Sequence, residues 1–178
     1  MTVFTIGHST RSIEAFLALL RNAEIDSVVD VRRFPGSRRN PQFNAEALSG
    51  SLAGAGIAYH PMPQLGGRRG KSAADAASPH TLWREEAFRN YADYAETPEF
   101  RAGFEALLAI AEKEEPAILC AEAVWWRCHR RIIADYLIAA NVGVRHILDA
   151  GKIEPAELTP GAVIRPDGSL LYRAATLL

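Results

Sequence analysis

Short apolar, β-branched runs alternate with segments of helical periodicity along this chain, and that alternation restricts its fold more than any other feature. Residues 3–6, 27–31, 57–60, 117–120 and 144–148 read as strands. The run Ser27-Val28-Val29-Asp30-Val31 is apolar enough to be covered on both faces, as strands of a parallel sheet are. After the first strand, Ser12 offers an N-cap to Ile13, Phe16, Leu17 and Leu20, which share one helix face. A second helix is expected over 44–53, with Gly56 as its stop. Two more are expected over about 84–95 and 98–114, the latter opened by Thr97 as cap and Pro98 at the first helical position. The last starts near Cys128 and ends at Asn141-Val142-Gly143. Arg165-Pro166-Asp167-Gly168-Ser169 marks a turn between 163–164 and 170–172. The pattern predicts one α/β domain over 1–178. It has three layers: a mainly parallel five-stranded sheet with helices on both faces, followed over 151–178 by an extension with a C-terminal β-hairpin.

The 178 residues suffice for one domain, and no repeat or linker divides them. No stretch nears the ~20 apolar residues of a membrane-spanning helix, so no membrane partner is expected. The first residues lack the charged and apolar regions of a secretory signal. Two cysteines do not make a disulfide scaffold, and a reducing cytoplasm is the expected location. The net charge of −1 conceals an uneven distribution. Of the 20 basic residues 17 are arginine, and seven basic side chains stand between 31 and 71 against one acid, Glu46. Between 75 and 115, ten acids face four bases. The total excludes a generally basic protein and leaves room for a local cationic site.

In a parallel sheet, ligands bind beyond the carboxyl ends of the strands. The first strand runs into Gly7-His8-Ser9-Thr10, and the second into Asp30-Val31-Arg32-Arg33 with Ser37-Arg38 close behind. The fourth runs into Cys120-Ala121-Glu122, whose loop leads to Arg127-Cys128-His129-Arg130 at a helix start. Residues 61–81, including Leu65-Gly66-Gly67-Arg68-Arg69-Gly70-Lys71, lack periodicity and read as a functional loop.

These segments carry a resemblance. Thr5-Ile6-Gly7-His8-Ser9, Val29-Asp30-Val31-Arg32 with Pro35 and Ser37-Arg38, Leu65-Gly66-Gly67, and Cys120-Ala121-Glu122 followed by Cys128-His129-Arg130 look like the domain of unknown function 488 family. The likeness runs in order over about 3–150 and implies a small bacterial or archaeal α/β protein without an established reaction. Val124-Trp125-Trp126 departs from the more polar loop expected there. A more distant, fold-level likeness is to rhodanese-type sulfurtransferases, in which Cys120 would take the nucleophile's place.

The residues themselves leave two readings. In the first, the chain is an enzyme acting on a small phosphate- or sulfur-containing anion. Cys120 is its nucleophile, His8 or His129 its acid or base, and Glu122 a base or a buttress. Ser9, Arg32, Arg38, Arg68 and Arg130 hold the anion, and Asp30 pairs with Arg32. In the second, the same arginines serve a non-catalytic nucleotide- or nucleic-acid-binding module. Trp83, Trp125, Trp126, Tyr91 and Tyr94 could then stack on bases, or simply belong to the core. A metal is not expected, because Cys120, Cys128 and His129 follow a C-x7-C-H spacing rather than the closer C-x2-C pairs of zinc sites. Adjacent residues on a helix diverge by about 100°, so only one of Cys128 and His129 is expected to face the site. The residues name no cofactor and no oligomeric state.

Overall fold

The computed structural model describes residues 1–71 and 77–174, so part of the 61–81 loop lies outside the described residues. Strands β1 (Thr2–Gly7), β2 (Ser27–Asp30), β3 (Ala58–Pro61), β4 (Pro116–Cys120) and β5 (Gly143–Asp149) pair in parallel. A sixth, β6 (Lys152–Pro155), adds antiparallel to β5 and completes the order β3-β2-β4-β1-β5-β6. The sheet is therefore six-stranded rather than five-stranded. The sequence of β6 holds one apolar side chain, Ile153, between Lys152 and Glu154, and it ends in proline, so its strand signal is weak. It forms because Gly151, at φ +71°, turns the chain back along β5, and Pro155 is tolerated at a sheet edge.

Helices α1 (Ile13–Asn22) and α2 (Ala45–Gly54) connect β1 to β2 and β2 to β3. Helices α3 (Glu86–Tyr94) and α4 (Pro98–Ala111) precede β4, and α5 (Arg130–Ala139) joins β4 to β5. The expected caps are made: Ser12 accepts from the Ala15 N–H at 3.2 Å, and Thr97 from that of Phe100 at 3.3 Å. From β1 to β3 the strands step one way across the sheet. After β3 the chain returns and steps the other way. Right-handed crossovers then place α1 and α2 on one face and the later helices on the opposite face.

Strand side chains alternate between the two cores accordingly. Phe4, Ile6, Val28, Ala117 and Leu119 meet Phe16, Leu20, Leu48 and Leu52. Val3, Val29 and Ile118 meet Phe100, Leu107, Ile132, Ile133 and Leu137. Each large apolar side chain so buried contributes ~1.5–3 kcal/mol. The C-terminal hairpin, β7 (Ala162–Ile164) and β8 (Leu170–Tyr172), is a separate two-stranded sheet. It docks through Tyr172, whose hydroxyl donates to Asp135 at 3.0 Å. Among the described residues no helix is long and apolar enough to cross a membrane.

The reversal of winding sets β2, β4 and β1 side by side with their carboxyl ends level. Gly7 lies beside Cys120, and Asp30 beside Leu119. The loops leaving these strands must share one crevice. Gly7 shows how tightly they meet, since a Cβ there would lie 1.8 Å from the Glu122 carbonyl oxygen.

Candidate functional site

Two polar clusters form at this edge. The first is buried. Arg32 grips Asp30 with two parallel bonds, Nε to Oδ1 at 2.8 Å and Nη2 to Oδ2 at 2.6 Å. Its Nη1 donates to the Phe43 carbonyl at 2.8 Å and lies 3.3 Å from His8 Nε2. The Tyr59 hydroxyl donates to Asp30 at 2.8 Å. His8 Nδ1 lies 2.8 Å from the Ser9 carbonyl, which only accepts, so Nδ1 carries the proton and Nε2 accepts from Arg32. The ring stacks on Phe43 at 4.3 Å. Burial, and less strongly the Arg32 charge, lower the His8 pKa to about 4, so this imidazole is neutral at physiological pH.

The second cluster is Cys120, Cys128 and His129. Cys128 Sγ lies 3.6 Å from His129 Nδ1, and Cys120 Sγ lies 4.0 Å from the same nitrogen. All three atoms fall within 4.8 Å of one another. This corrects the expected divergence of Cys128 and His129. Cys128 is extended, with φ −131° and ψ 148°, and α5 begins two residues later than the sequence suggests, so helical spacing does not govern the pair. His129 Nε2 donates to the Val31 carbonyl at 3.1 Å, so Nδ1 is the ring nitrogen that faces the two sulfurs.

Arg130, only 1% exposed, sends Nε to Cys128 Sγ at 3.4 Å and Nη2 to the Glu122 carbonyl. Burial disfavours a Cys128 thiolate. The Cys120 thiol donating to its sulfur, together with His129 and Arg130, outweighs this and holds the Cys128 thiol well below its usual value. Cys120 is pushed up, first by that bond to Cys128 and then by burial. The pair therefore ionises at Cys128, close to the N-terminus of α5, whose dipole favours negative charge.

The cluster floors a cavity of about 240 Å³. Arg32, Arg33, Arg68 and Arg127 line it with Glu122, and Phe34, Ala87, Phe88 and Tyr91 form an apolar side. The glycines of Leu65-Gly66-Gly67 allow the loop to close over this floor. A Cβ at Gly66 would come within 2.9 Å of the Arg33 backbone, and one at Gly67 within 2.6 Å of His129 Nδ1. Tyr91 anchors the same loop by donating from its hydroxyl to the Leu65 carbonyl at 2.6 Å.

Of the residues singled out from the sequence, Cys120, Glu122, His129, Arg32 and Arg68 line the cavity. His8, Ser9, Asp30, Arg38 and Arg130 lie outside the lining, with Arg38 exposed on the β2–α2 connection and Arg130 beneath the cysteines. Trp83 and Tyr91 are core residues, Trp125 stacks on His146 at 4.3 Å, and Tyr94 lies under the Arg69 guanidinium at 3.7 Å. Trp126 is the exposed one of the five, at 45%. Sequence reasoning missed Cys128 as the ionising thiol, although Cys128-His129-Arg130 at a helix start was its signal. Arg127 stands in the same segment but was not among the expected anion-holding residues, and Phe34 and Phe88, which also line the cavity, carry no periodic or motif signal of their own.

The fold and this edge define an α/β protein with a cysteine–histidine cluster at the carboxyl ends of its central strands. The chain belongs to the family described as domain of unknown function DUF488, whose model matches residues 12–137, from the α1 cap into α5. No curated protein and no solved structure matches it.

Proposed function

We propose that this protein is a cysteine-dependent enzyme acting on a small phosphate- or sulfur-containing anion that also carries an apolar group. The observation that carries the reading is the shared cavity: Cys120 and Cys128 at its floor, Arg33, Arg68 and Arg127 at its rim, Phe34 and Phe88 on its side. Planar guanidinium groups suit such oxyanions, which makes this an arginine-rich, anion-binding pocket. The aromatic side takes the apolar part of the substrate. Cys128 rather than Cys120 is the nucleophile, because Cys120, His129 and Arg130 all face its sulfur.

In the first step a bond forms from Cys128 Sγ to the electrophilic phosphorus or sulfur atom. The bond to the leaving group breaks, and that group departs with the electron pair and takes a proton from water. In the second step water displaces the bound group, with Glu122 accepting its proton, and the thiolate returns. Arg130 and Asp30 are positioning residues in this scheme. Two reduced thiols suit the cytoplasm.

The test is covalent labelling of chelator-treated protein with iodoacetate and iodoacetamide, with the modified cysteine identified by peptide mass spectrometry. The cationic rim should raise the iodoacetate-to-iodoacetamide rate ratio at Cys128 roughly tenfold or more over a free cysteine. Phenyl phosphate should protect. Equal ratios without protection, or the slow labelling of an ordinary buried thiol, overturn the reading.

A further inference from the structure

We infer that Cys120, Cys128 and His129 form a three-ligand site for one Zn2+ ion, with the fourth coordination position turned toward the cavity. Metal–ligand bonds of ~2.3 Å to sulfur and ~2.0–2.1 Å to nitrogen, at tetrahedral angles, set sulfur and nitrogen about 3.6 Å apart and two sulfurs about 3.8 Å apart. The observed separations of 3.6 Å and 4.0 Å, with all three donor atoms inside 4.8 Å, already approximate one face of such a tetrahedron.

The surroundings fit the same role. His129 donates from Nε2 to the Val31 carbonyl, the outer contact that orients a metal-binding imidazole and leaves Nδ1 as the ligand atom. Arg130 Nε on Cys128 Sγ supports a coordinated thiolate in the same way. Gly67 keeps clear the space beside Nδ1 that any Cβ would fill. Two thiolates balance the charge of a divalent ion, and a donor set of two sulfurs and one imidazole suits zinc rather than the hard ions Mg2+ or Ca2+. Three protein ligands open to a cavity match the pattern of sites that exchange a fourth ligand, here an anion held by the rim arginines.

This inference rests on ligand geometry and stands whether or not Cys128 is a nucleophile. If it is, the two uses exclude each other, because both sulfurs and Nδ1 are taken up by the ion. Zn2+ would then switch thiol chemistry off.

The experiment is titration of the chelator-treated full chain with Co2+, read by absorption, followed by displacement with Zn2+. One equivalent should give thiolate-to-cobalt charge-transfer bands and tetrahedral d–d bands, and Zn2+ should protect both cysteines from alkylation. Loss of a whole ligand should weaken Zn2+ binding by more than the ~10–100-fold typical of losing an outer-shell partner, in Cys120→Ser, Cys128→Ser and His129→Gln alike. Circular dichroism identifies the folded variants, and His129→Gln, the most conservative, decides if a cysteine variant does not fold. Absence of charge-transfer bands, or unchanged Zn2+ affinity in His129→Gln, overturns the inference. Cobalt bands without preferential iodoacetate labelling of the metal-free protein uphold the zinc site and defeat the thiol enzyme; the reverse pattern does the opposite.

Discussion

The Asp30–Arg32–His8 network and the Cys120–Cys128–His129 cluster are built from neighbouring strand ends and similar residue types, yet they are opposites. In the first, every charged group meets a partner inside the protein: Arg32 reaches Asp30, His8 and the Phe43 carbonyl, and Tyr59 completes Asp30. In the second, two sulfurs and one imidazole nitrogen converge on one another beneath a cavity, with only weak thiol contacts between them. A saturated network holds loops in place; an unsaturated one has capacity for a ligand. Histidines, arginines and acids at a strand end are therefore not equivalent candidates for chemistry. Where their remaining valences point decides.

Breaking the first cluster should cost the most stability. Asp30→Ala leaves the Arg32 guanidinium buried without its carboxylate and should destabilise the fold by about 3–5 kcal/mol, measured by urea denaturation. Acid probes the same region. His8 and His146 each have a pKa of about 4 in the fold against an ordinary 6.5, the latter through burial and then the Arg130 charge. Below pH 6.5 the unfolded chain takes up these protons and the folded one does not. Stability should fall as pH drops from about 6.5 to 4 and level off below, by up to ~3 kcal/mol per histidine. A flat profile from denaturant midpoints over that range would count against both buried sites.

The second cluster should respond in the reverse sense, with large chemical effects and small structural ones. Gly67→Ala drives a methyl group against His129 and should cost ~1–3 kcal/mol while abolishing the cobalt charge-transfer bands. Arg127→Ala, on the exposed rim, should leave stability within about 0.5 kcal/mol of the parent. It should still lower the iodoacetate preference of Cys128. If Arg127→Ala unfolds the protein, or Asp30→Ala changes labelling alone, the contrast between the two clusters fails.

Most of the architecture was legible because hydrophobic periodicity is local. The unbroken apolar runs Val28-Val29 and Ala117-Ile118-Leu119 announce strands covered on both faces, and the Ser12 and Thr97 caps mark their helices closely. β6 was not legible, since Lys152-Ile153-Glu154 pairs through backbone bonds to β5 and only one of its side chains suggests a strand. The site divides in the same way. Arg32 beside Asp30 could be anticipated from two residues on one side of a strand, whereas the meeting of Cys128 with His129 Nδ1 could not, because it hangs on the extended backbone of one residue before α5.

The sequence by itself determined the layered α/β fold and the edge at which polar side chains gather, because burial patterns and caps act over a few residues. Only the tertiary structure decided which of those side chains share a cavity. It sent Asp30, His8 and Arg130 inward and left Arg38 outside, while Arg33, Arg127 and Phe34 came to the rim. That choice depends on strand register, on the close approach of Gly66 and Gly67 to neighbouring segments, and on the meeting of the loops that leave β1, β2 and β4. These are distances between segments remote in the chain, and no local pattern encodes them.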